Sequence, residues 1–343
     1  MKFKKPSYII AAVLSMVSPI LIGQMAGQIH PALISSLGSL ALINEVYEGS
    51  EPRQTLVNLI YAAVFSTAAF MIGAAIAGTA IFSLVTLPLV IFAISTIGLI
   101  NRQSIKNSVR SIVFLIIGYH FELTGKIYLV ASAFFLAGTL WTALILLATK
   151  LISKDRGTPI KPSKKYTVRQ YLNHWIKSLS SFKGWQFPLR ITLCITAAQI
   201  LRYFIPGHHS YWILLTIALV TQYNMDNQLK RIRDRGIGTL LGVCFSFAFV
   251  YFNISVHILI PVIAVLASLR VIFRETDYLI YAAVMTPLII ILLDFGNISS
   301  AVVLADRLIA TIIGGLLSFI FGYLIWRKPA DKPGREHGAE PHQ

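Results

Sequence analysis

The sequence predicts an all-α, polytopic membrane protein, and three observations support this fold class. Of the 343 residues, 56% are hydrophobic and only 13% are charged, and the mean hydropathy is +0.70. An ordinary soluble domain is about 25% charged. Apolar runs of roughly 18 residues, long enough for a helix to cross a bilayer, recur along the chain. These runs do not alternate apolar and polar residues as the strands of a membrane barrel do.

Twelve apolar segments divide the chain, and they predict about 12 transmembrane helices. Several are shorter than the roughly 20 residues of a full span, so the shortest, 31–46, 108–121 and 210–222, are candidates for re-entrant or broken helices. In order, the segments are 8–27, 31–46, 55–78, 80–99, 108–121, 127–151, 188–205, 210–222, 236–252, 255–273, 278–293 and 302–326.

The positive charges predict the orientation of these helices. A formal net charge of +16 also suits a nucleic-acid-binding protein. With both termini in the cytoplasm, however, all of the 30 Lys and Arg residues except Lys126, Arg202 and Arg307 fall on the cytoplasmic side. This asymmetry follows the positive-inside rule. We therefore expect the lipid bilayer as a partner, and no nucleic acid.

Residues 1–152 and 188–328 are predicted to form two six-helix membrane halves. The stretch "IHPALISSLGSLALINE" in the first half parallels "HHSYWILLTIALVTQYN" in the second. Each is a short span that is entered from the outside through His and has Ser or Thr scattered along it. Six spans per half give the two halves the same orientation, as parallel repeats related by an axis along the membrane normal.

Two further regions complete the predicted organisation. Residues 153–187 form a basic cytoplasmic linker with an amphipathic helix, whose apolar side chains fall on one face. This helix either lies on the cytoplasmic leaflet or docks on loops of the same protein. Residues 329–343 are polar and contain Pro and Gly, which predicts a disordered cytoplasmic tail.

The stretch "RGIGTLLG" is the first of two matching motifs. It begins at Arg235 and places Thr239 and Gly242 on the same helical face. Its Gly-x-Gly fragment also suits a nucleotide-binding loop, but no strand precedes it and no βαβ unit surrounds it. Gly238 and Gly242 are spaced for close helix packing. Arg235 either lines a transport path or anchors its helix at the membrane edge.

The stretch "RLIATIIGG" repeats the pattern from Arg307, with Thr311 one turn further on. It starts a span of the opposite direction, which suggests inverted three-helix repeats within the half. Arg307 is expected more than one turn inside the last span, with Asp306 beside it. Charges within the membrane are costly and usually face a bundle interior or a water-filled cavity. The alternatives for Arg307 are a transport role and an interface anchor.

Four other polar residues are candidates for a transport path. Glu45 is either a proton carrier or a charge of the cytoplasmic loop. Gln24 and Gln199 lie in corresponding helices and either line the path or make structural hydrogen bonds. Arg202 lies near the predicted outer mouth, where it either attracts anions or sits at the lipid interface.

No arrangement typical of catalysis is present in the sequence. There is no P-loop, no H-E-x-x-H, no G-x-S-x-G and no Asp-rich metal motif. We therefore predict that the protein is not an enzyme and has no catalytic residues, no metal site and no cofactor.

The stretch "HHSYWILLTIALVTQ", followed by "RIRDRGIGTLLGV", resembles the fusaric acid resistance and aromatic acid exporter family. That family has Tyr-Trp and Thr in a short span, a basic loop, and then Arg with Gly-Thr-x-x-Gly. The resemblance is good over 188–327 and looser over 8–152. The matching residues here are Tyr211, Trp212, Thr216, Arg235, Gly238, Thr239 and Gly242.

The resemblance implies a multi-pass protein of the bacterial inner membrane that exports small aromatic or other organic acids, with the proton gradient as the energy source. Larger members carry a sizeable soluble segment between the membrane blocks, where this chain has only residues 153–187. The family is also distantly similar to plant malate channels, which keeps a channel open as an alternative.

Three functions are therefore compatible with the sequence. The first is secondary export of small organic anions along a path between the halves, with Arg307, and with Arg235 or Arg202, attracting the carboxylate and Asp306 or Glu45 exchanging protons. The second is a passive organic-anion channel. The third is a non-transporting membrane protein that acts as an assembly partner. The oligomeric state is open, with a homo-oligomer as one alternative.

Overall fold

The computed structural model describes residues 6–43, 45, 52–77, 80–121, 127–152, 168–204, 210–252, 256–274, 276–293 and 301–326. Over these residues the protein consists of helices joined by turns and short loops, without strands. The predicted tail and the first part of the linker lie outside the described residues. The all-α class is confirmed for the described part of the chain.

Six helices form the N-terminal half, and each contains most of one predicted apolar segment. They are α1 (Pro6–Met25), α2 (Ile29–Leu42), α3 (Pro52–Ile76), α4 (Ala80–Ile97), α5 (Arg102–His120) and α6 (Ile127–Ile152).

The C-terminal half has the same number of helices and follows the linker helix α7 (Val168–Leu179). They are α8 (Phe182–Phe204), α9 (Tyr211–Val220), α10 (Gln228–Tyr251), α11 (Val256–Phe273), α12 (Tyr278–Leu293) and α13 (Ala301–Ile320).

Five helical stretches are long and apolar enough to cross a membrane. Four further apolar helices among the described residues are shorter, including α2 and α9. The structure therefore supports a multi-helix membrane protein, while twelve crossings remain a prediction. The five stretches are Pro6–Met25, Pro52–Ile76, Phe82–Ile100, Ile127–Ile152 and Ala301–Trp326.

The shortest apolar helices lie at the centre of the bundle. Every residue of α9 except Leu219 is buried, and α2 is buried from Ser35 to its end. At 1.5 Å per residue, the ten residues of α9 cover about 15 Å, or half of a hydrocarbon core. A helix that is apolar on all sides is typical of a buried position, and here the longer helices surround it.

Helices contact one another in the same order in the two halves. In the first half α3 packs on α5 and α6, and α2 packs on α6; in the second half α10 packs on α12 and α13, and α9 packs on α13. The halves meet through α4 against α8 and α1 against α11, and through α5 against α9 and α2 against α12. These contacts between the halves come in pairs. When each helix is replaced by its equivalent in the other half, the contact of α4 with α8 becomes that of α11 with α1, and the contact of α5 with α9 becomes that of α12 with α2.

Glycines permit the closest of these contacts. A Cβ on Gly238 would lie 2.6 Å from the Leu279 carbonyl oxygen, and one on Gly242 would lie 2.6 Å from that of Ala283. A Cβ on Gly73 would similarly overlap the Leu115 carbonyl oxygen of α5. The predicted small-residue spacing of α10 therefore serves packing against α12.

The linker helix α7 docks on the membrane bundle. The indole of Trp175 donates a hydrogen bond to the Thr96 carbonyl, at 2.9 Å. Leu172 and Ile176 remain exposed beside this contact. Docking on the same protein is therefore observed, and contact of the exposed side chains with the cytoplasmic leaflet stays a prediction.

Candidate functional site

A cavity of about 350 Å³ lies between the two halves. Its walls come from α2 and α5 of the first half and from α9 to α12 of the second, together with the loop after α9. We call this cavity the basic chamber, because six Lys and Arg side chains line it among the described residues. They are Lys106, Arg110, Arg231, Arg235, Arg270 and Arg274.

Arg235 lies deeper in its helix than the sequence predicts. The helix α10 begins at Gln228 rather than near residue 236, because the basic stretch before the motif is itself helical. Arg235 is therefore two turns inside α10, and only 2% of it is exposed. Its Nε has no hydrogen-bond partner within the described residues. A buried cation is costly without an acceptor, so this side chain is a strong candidate for binding an anion.

Thr239 follows one turn after Arg235 and is fully buried. Its hydroxyl also lacks a hydrogen-bond partner within the described part of the chain. The predicted alignment of Arg235, Thr239 and Gly242 therefore corresponds to a buried face of α10.

Two tyrosines of α12 stand beside the arginines of the chamber. The Arg231 guanidinium lies 4.2 Å from the ring centroid of Tyr278 and donates to Gln222. Tyr281 interacts with Arg270 through its hydroxyl. The two rings stack with their centroids 6.0 Å apart. Arginine over an aromatic face is a favourable cation–π contact, and the tyrosines thus hold the guanidiniums at the cavity wall.

Arg270 connects the two halves. From α11, its Nη2 donates to the Leu40 carbonyl at 3.3 Å, and its Nε lies 3.1 Å from the Met285 sulfur. Leu40 belongs to α2, so this arginine ties the chamber's C-terminal wall to its N-terminal wall. The sequence indicates only a charge at the cytoplasmic end of a helix.

Glu45 forms an ion pair with Arg110. The carboxylate is 1% exposed, and the Gln103 amide donates to it at 3.4 Å. Glu45 therefore lies inside the protein at the edge of the basic chamber and is not a solvated loop charge. This position is compatible with a role for Glu45 as a proton carrier, which stays a prediction.

Arg307 is fully buried, but it does not line the basic chamber. Its guanidinium lies 4.0 Å from the ring centroid of Trp212 on α9. Thr311 donates its hydroxyl back to the Arg307 carbonyl at 2.8 Å. A Cβ on Gly314 would lie 2.8 Å from the Thr216 Cβ. The face that carries the second motif therefore packs against the central helix α9. Asp306 is half-buried beside it.

Arg202 and Gln199 belong to a polar group near this second arginine site. Arg202 donates to Gln199 at 2.8 Å and to the Ser210 hydroxyl at 2.7 Å. Its guanidinium also lies 5.0 Å from the ring centroid of Tyr119. These hydrogen bonds match the structural alternative for Gln199.

Aromatic rings join the two groups across α5 and α9. His120 stacks on Tyr211 with centroids 3.6 Å apart, and Tyr211 contacts Trp212 at 4.6 Å. We call His120, Tyr211, Trp212 and Arg307 the aromatic layer. The structure thus divides the predicted path residues: Arg235 and Glu45 lie at the basic chamber, whereas Arg307, Arg202 and Gln199 lie at or near the aromatic layer. Gln24, half-buried near the end of α1, does not line the chamber.

Sequence reasoning missed a further buried arginine. Arg190 of α8 is fully buried, donates from Nε to the Gly322 carbonyl at 2.6 Å, and contacts Gln228. Its position two residues after Pro188, inside an apolar segment, was the available signal. The described residues contain no group of three or more His, Cys, Asp and Glu side chains suited to a metal ion.

Residues 193–321 match the sequence model of the family described as fusaric acid resistance protein-like. An inner membrane protein, YccS of Escherichia coli, is 31% identical over 120 residues, which are 35% of this chain and 16% of YccS. The resemblance to the fusaric acid resistance family is confirmed.

Two uncharacterized proteins are also similar to parts of this chain. An uncharacterized protein of Haemophilus influenzae is 26% identical over 138 residues, covering 40% of this chain and 19% of the relative. The uncharacterized protein YhfK of Escherichia coli is 27% identical over 186 residues, covering 54% of this chain and 25% of YhfK. The chain spans a quarter or less of the length of these relatives. No solved structure matches the chain.

The fusaric acid resistance-like match covers one wall of the basic chamber. Residues 193–321 include Arg231, Arg235, Arg270 and Arg274, as well as Arg307 of the aromatic layer. Arg110 and Glu45 lie outside the match. The family signature therefore contains most of the cationic groups, while the first half contributes the acidic one.

Proposed function

We propose that this protein is a secondary transporter of a bacterial inner membrane that exports small organic carboxylates, aromatic ones in particular. Its helices cross the membrane as two parallel six-helix halves, with both termini in the cytoplasm. The matched order of helix contacts in the two halves supports this arrangement. The relationship to an inner membrane protein supports the location.

The observation that carries the proposal is the basic chamber between the halves. Its volume of about 350 Å³ suits a small molecule. Arginines bind carboxylates through charge-assisted hydrogen bonds, and Arg235 is buried there without a carboxylate partner within the described residues. The lining also includes Phe114 and Ile117 of α5, which would accommodate an apolar ring.

The position of the chamber along the helices favours loading from the cytoplasm. Its cations lie on the side that the positive-inside rule assigns to the cytoplasm. Along α5, the chamber extends from Ile105 to Ile117, and His120 of the aromatic layer follows one turn later. The aromatic layer therefore closes the chamber toward the opposite side. Arg307 acts in this layer, and Arg235 replaces it as the first contact for the carboxylate.

Glu45 supports coupling to protons. An anion that binds Arg110 competes with the carboxylate that already pairs with it. Protonation of Glu45 would break its ion pair with Arg110. The substrate carboxylate could then bind Arg110 in place of Glu45. Asp306 is the second candidate for proton exchange, beside the aromatic layer.

Flux of radiolabelled benzoate from proteoliposomes tests the proposal, with and without a pH gradient. We expect proton-coupled benzoate flux that Arg235→Gln reduces by about tenfold or more, since a charged hydrogen bond is lost. Lys230→Gln is the matched control, because Lys230 is exposed on the same helix and does not line the chamber. Electrogenic flux without proton coupling would establish the channel alternative. Absence of flux of every tested anion, with a stable co-purifying protein, would favour an assembly partner.

A further inference from the structure

A second cavity, of about 240 Å³, lies between α3, α4 and α5 and shares none of its described lining residues with the basic chamber. We call it the lateral pocket, because three of its apolar lining side chains are exposed on the surface of the helices. They are Phe65 and Ile72 of α3 and Ile97 of α4. Both helices lie in stretches that are long and apolar enough to cross a membrane. The pocket therefore opens toward the hydrocarbon of the bilayer.

The floor of the lateral pocket is polar and comes from the face of α5 that points away from the chamber. The residues of this floor are three and four positions apart, which places them on one side of the helix. They are Ser104, Asn107, Ser108 and Ser111. Polar groups beside lipid are costly unless they find partners. A polar floor below an apolar opening therefore points to an amphiphilic ligand.

The hydrogen bonds of the floor favour a ligand that donates. Ser108 already donates its hydroxyl to the Ile94 carbonyl at 2.7 Å, and Ser111 donates to the Phe65 carbonyl at 3.4 Å. A hydroxyl has a single hydrogen, so the lone pairs of these two oxygens remain for a ligand. The Oδ1 atom of Asn107 is buried and has no hydrogen-bond partner within the described residues. A buried acceptor in this state is destabilising, and a donor from a ligand would remove that cost.

No charged side chain lines the lateral pocket among the described residues. This distinguishes the pocket from the basic chamber, whose six cationic side chains suit an anion. A carboxylate only accepts hydrogen bonds, and it would meet no cation in the lateral pocket. The volume of about 240 Å³ lies below that of a typical drug-sized site, so it suits one ring with a short apolar substituent.

We propose that the lateral pocket binds an amphiphile without net charge, which enters from the bilayer. The apolar body of this ligand contacts Phe65, Ile72 and Ile97, and its hydroxyl or N–H group donates a hydrogen bond to Asn107 Oδ1. Phenols and alcohols have this chemistry, and so does a membrane lipid whose headgroup carries a donor. The inference is independent of the proposed transport function, and it adds a site for uncharged compounds to a protein whose chamber suits anions.

Competitive photolabelling of the full chain tests the inference in nanodiscs of phosphatidylcholine, a lipid without a hydrogen-bond donor. A photoreactive alkylphenol is the label, and 4-propylphenol and its methyl ether, 4-propylanisole, compete with it at neutral pH, where a phenol is uncharged. Concentrations are expressed per lipid, which removes the difference in partitioning between the two competitors. We expect 4-propylphenol to compete about fivefold more strongly, as the gain from one hydrogen bond. The labelled peptides should contain residues 65–72, 94–97 or 104–111.

Asn107→Leu should remove most of this preference, because leucine is similar in size and has no acceptor. Thr67→Val is the matched control and should retain the preference. The Thr67 hydroxyl is also buried without a hydrogen-bond partner in the part of the chain that the structure describes, but Thr67 does not line the pocket. Size-exclusion chromatography checks the fold of each variant.

Equal competition by the phenol and its ether would overturn the inference, and so would labelling outside the pocket or a preference that survives Asn107→Leu. The wild-type comparison decides the matter even where Asn107→Leu does not fold. Repeating the labelling in phosphatidylethanolamine, whose headgroup carries N–H donors, identifies the source of the ligand. A decrease in labelling of about fivefold would assign the pocket to a lipid headgroup, whereas unchanged labelling would assign it to a free phenol or alcohol.

Discussion

At the residue scale, two ion pairs differ in burial and are therefore expected to differ in their contribution to stability. Glu45 and Arg110 pair in the interior at the edge of the chamber, whereas Arg233 and Asp234 pair 3.0 Å apart with the arginine 66% exposed. Removing one partner of a buried pair leaves a charge in a medium of low dielectric constant. In the second pair only Asp234 is buried; the exposed Arg233 is hydrated on its own, so loss of this pair leaves a charge in solvent and costs little.

Glu45→Gln is therefore expected to lower the free energy of unfolding by about 3–5 kcal/mol. Asp234→Asn, the matched control, is expected to lower it by less than about 1 kcal/mol. Thermal denaturation of the two purified variants in the same detergent measures both changes. Equal stability of Glu45→Gln and the wild type would show that Glu45 does not stabilise Arg110.

The guanidinium of Arg307 lies over the ring of Trp212, at 4.0 Å from its centroid. Arg307→Gln removes the cation–π contact with Trp212, which is worth about 2 kcal/mol when the cation is desolvated. Trp212→Leu in the Arg307→Gln background should then cost less than Trp212→Leu in the wild type, because the two substitutions remove the same contact. A double-mutant cycle of thermal stability checks this, and additive effects would contradict it.

At the element scale, glycines determine how closely α10 approaches α12. Gly242→Ala would place a Cβ 2.6 Å from the Ala283 carbonyl oxygen and 2.7 Å from the Thr286 Cβ. The helices must then separate, at a cost of about 1–3 kcal/mol for overpacking. Gly236→Ala is the control on the same helix, since no atom lies within 4 Å of the position that its added methyl group would take.

Gly236→Ala should instead stabilise the protein by about 0.5–1 kcal/mol, because alanine is the better helix former. Melting temperatures of the two variants, measured side by side, distinguish these opposite signs. If Gly242→Ala were as stable as Gly236→Ala, the α10–α12 contact would be looser than the structure describes.

The sequence predicts helical faces better than it predicts which charges meet. Apolar length and the repeated motif locate the helices and the buried face of Arg235, Thr239 and Gly242. Basic residues at predicted cytoplasmic helix ends give the same sequence pattern whether they anchor the helix in the lipid headgroups or line a cavity; these residues are Lys106, Arg110, Arg231 and Arg270. The way in which α5, α10 and α11 pack against one another decides whether these residues are lipid anchors or line the cavity. This packing depends on contacts between residues distant in sequence.

The sequence places the start of α10 too late for a related reason. The first two turns of this helix are rich in basic residues, which hydropathy treats as a loop, although Lys and Arg have high helix propensity. Hydropathy therefore identifies only the apolar part of the helix. This shift of two turns changes the interpretation of Arg235 from a membrane-edge residue to a buried one.

At the scale of the whole molecule, the orientation of the halves is open to a direct test. We expect Gln28, in the exposed turn before α2, to face the outside and Asn227, in the exposed turn before α10, to face the cytoplasm. Each would be replaced by Cys in a background in which Cys194 and Cys244 are Ala. A membrane-impermeant maleimide added to intact cells should label the Gln28→Cys variant and leave Asn227→Cys unlabelled until the cells are lysed.

Labelling of Asn227→Cys but not of Gln28→Cys in intact cells would reverse the assigned orientation and place the basic chamber toward the outside. Labelling of both variants would contradict an odd number of crossings between them. Because both residues are exposed, the reagent reaches each of them in lysed cells, whichever side it faces.

The short length of α9 has an electrical consequence. If the chamber fills with water and ions from the cytoplasm, as the proposed loading requires, most of the membrane voltage would fall across the thin layer around Trp212 rather than across the full bilayer. A voltage of 100 mV does about 2.3 kcal/mol of work on each elementary charge. In a cell with a negative interior, that work would drive the anionic substrate of the proposed transporter outward. Voltage would then contribute to export in addition to the proton gradient.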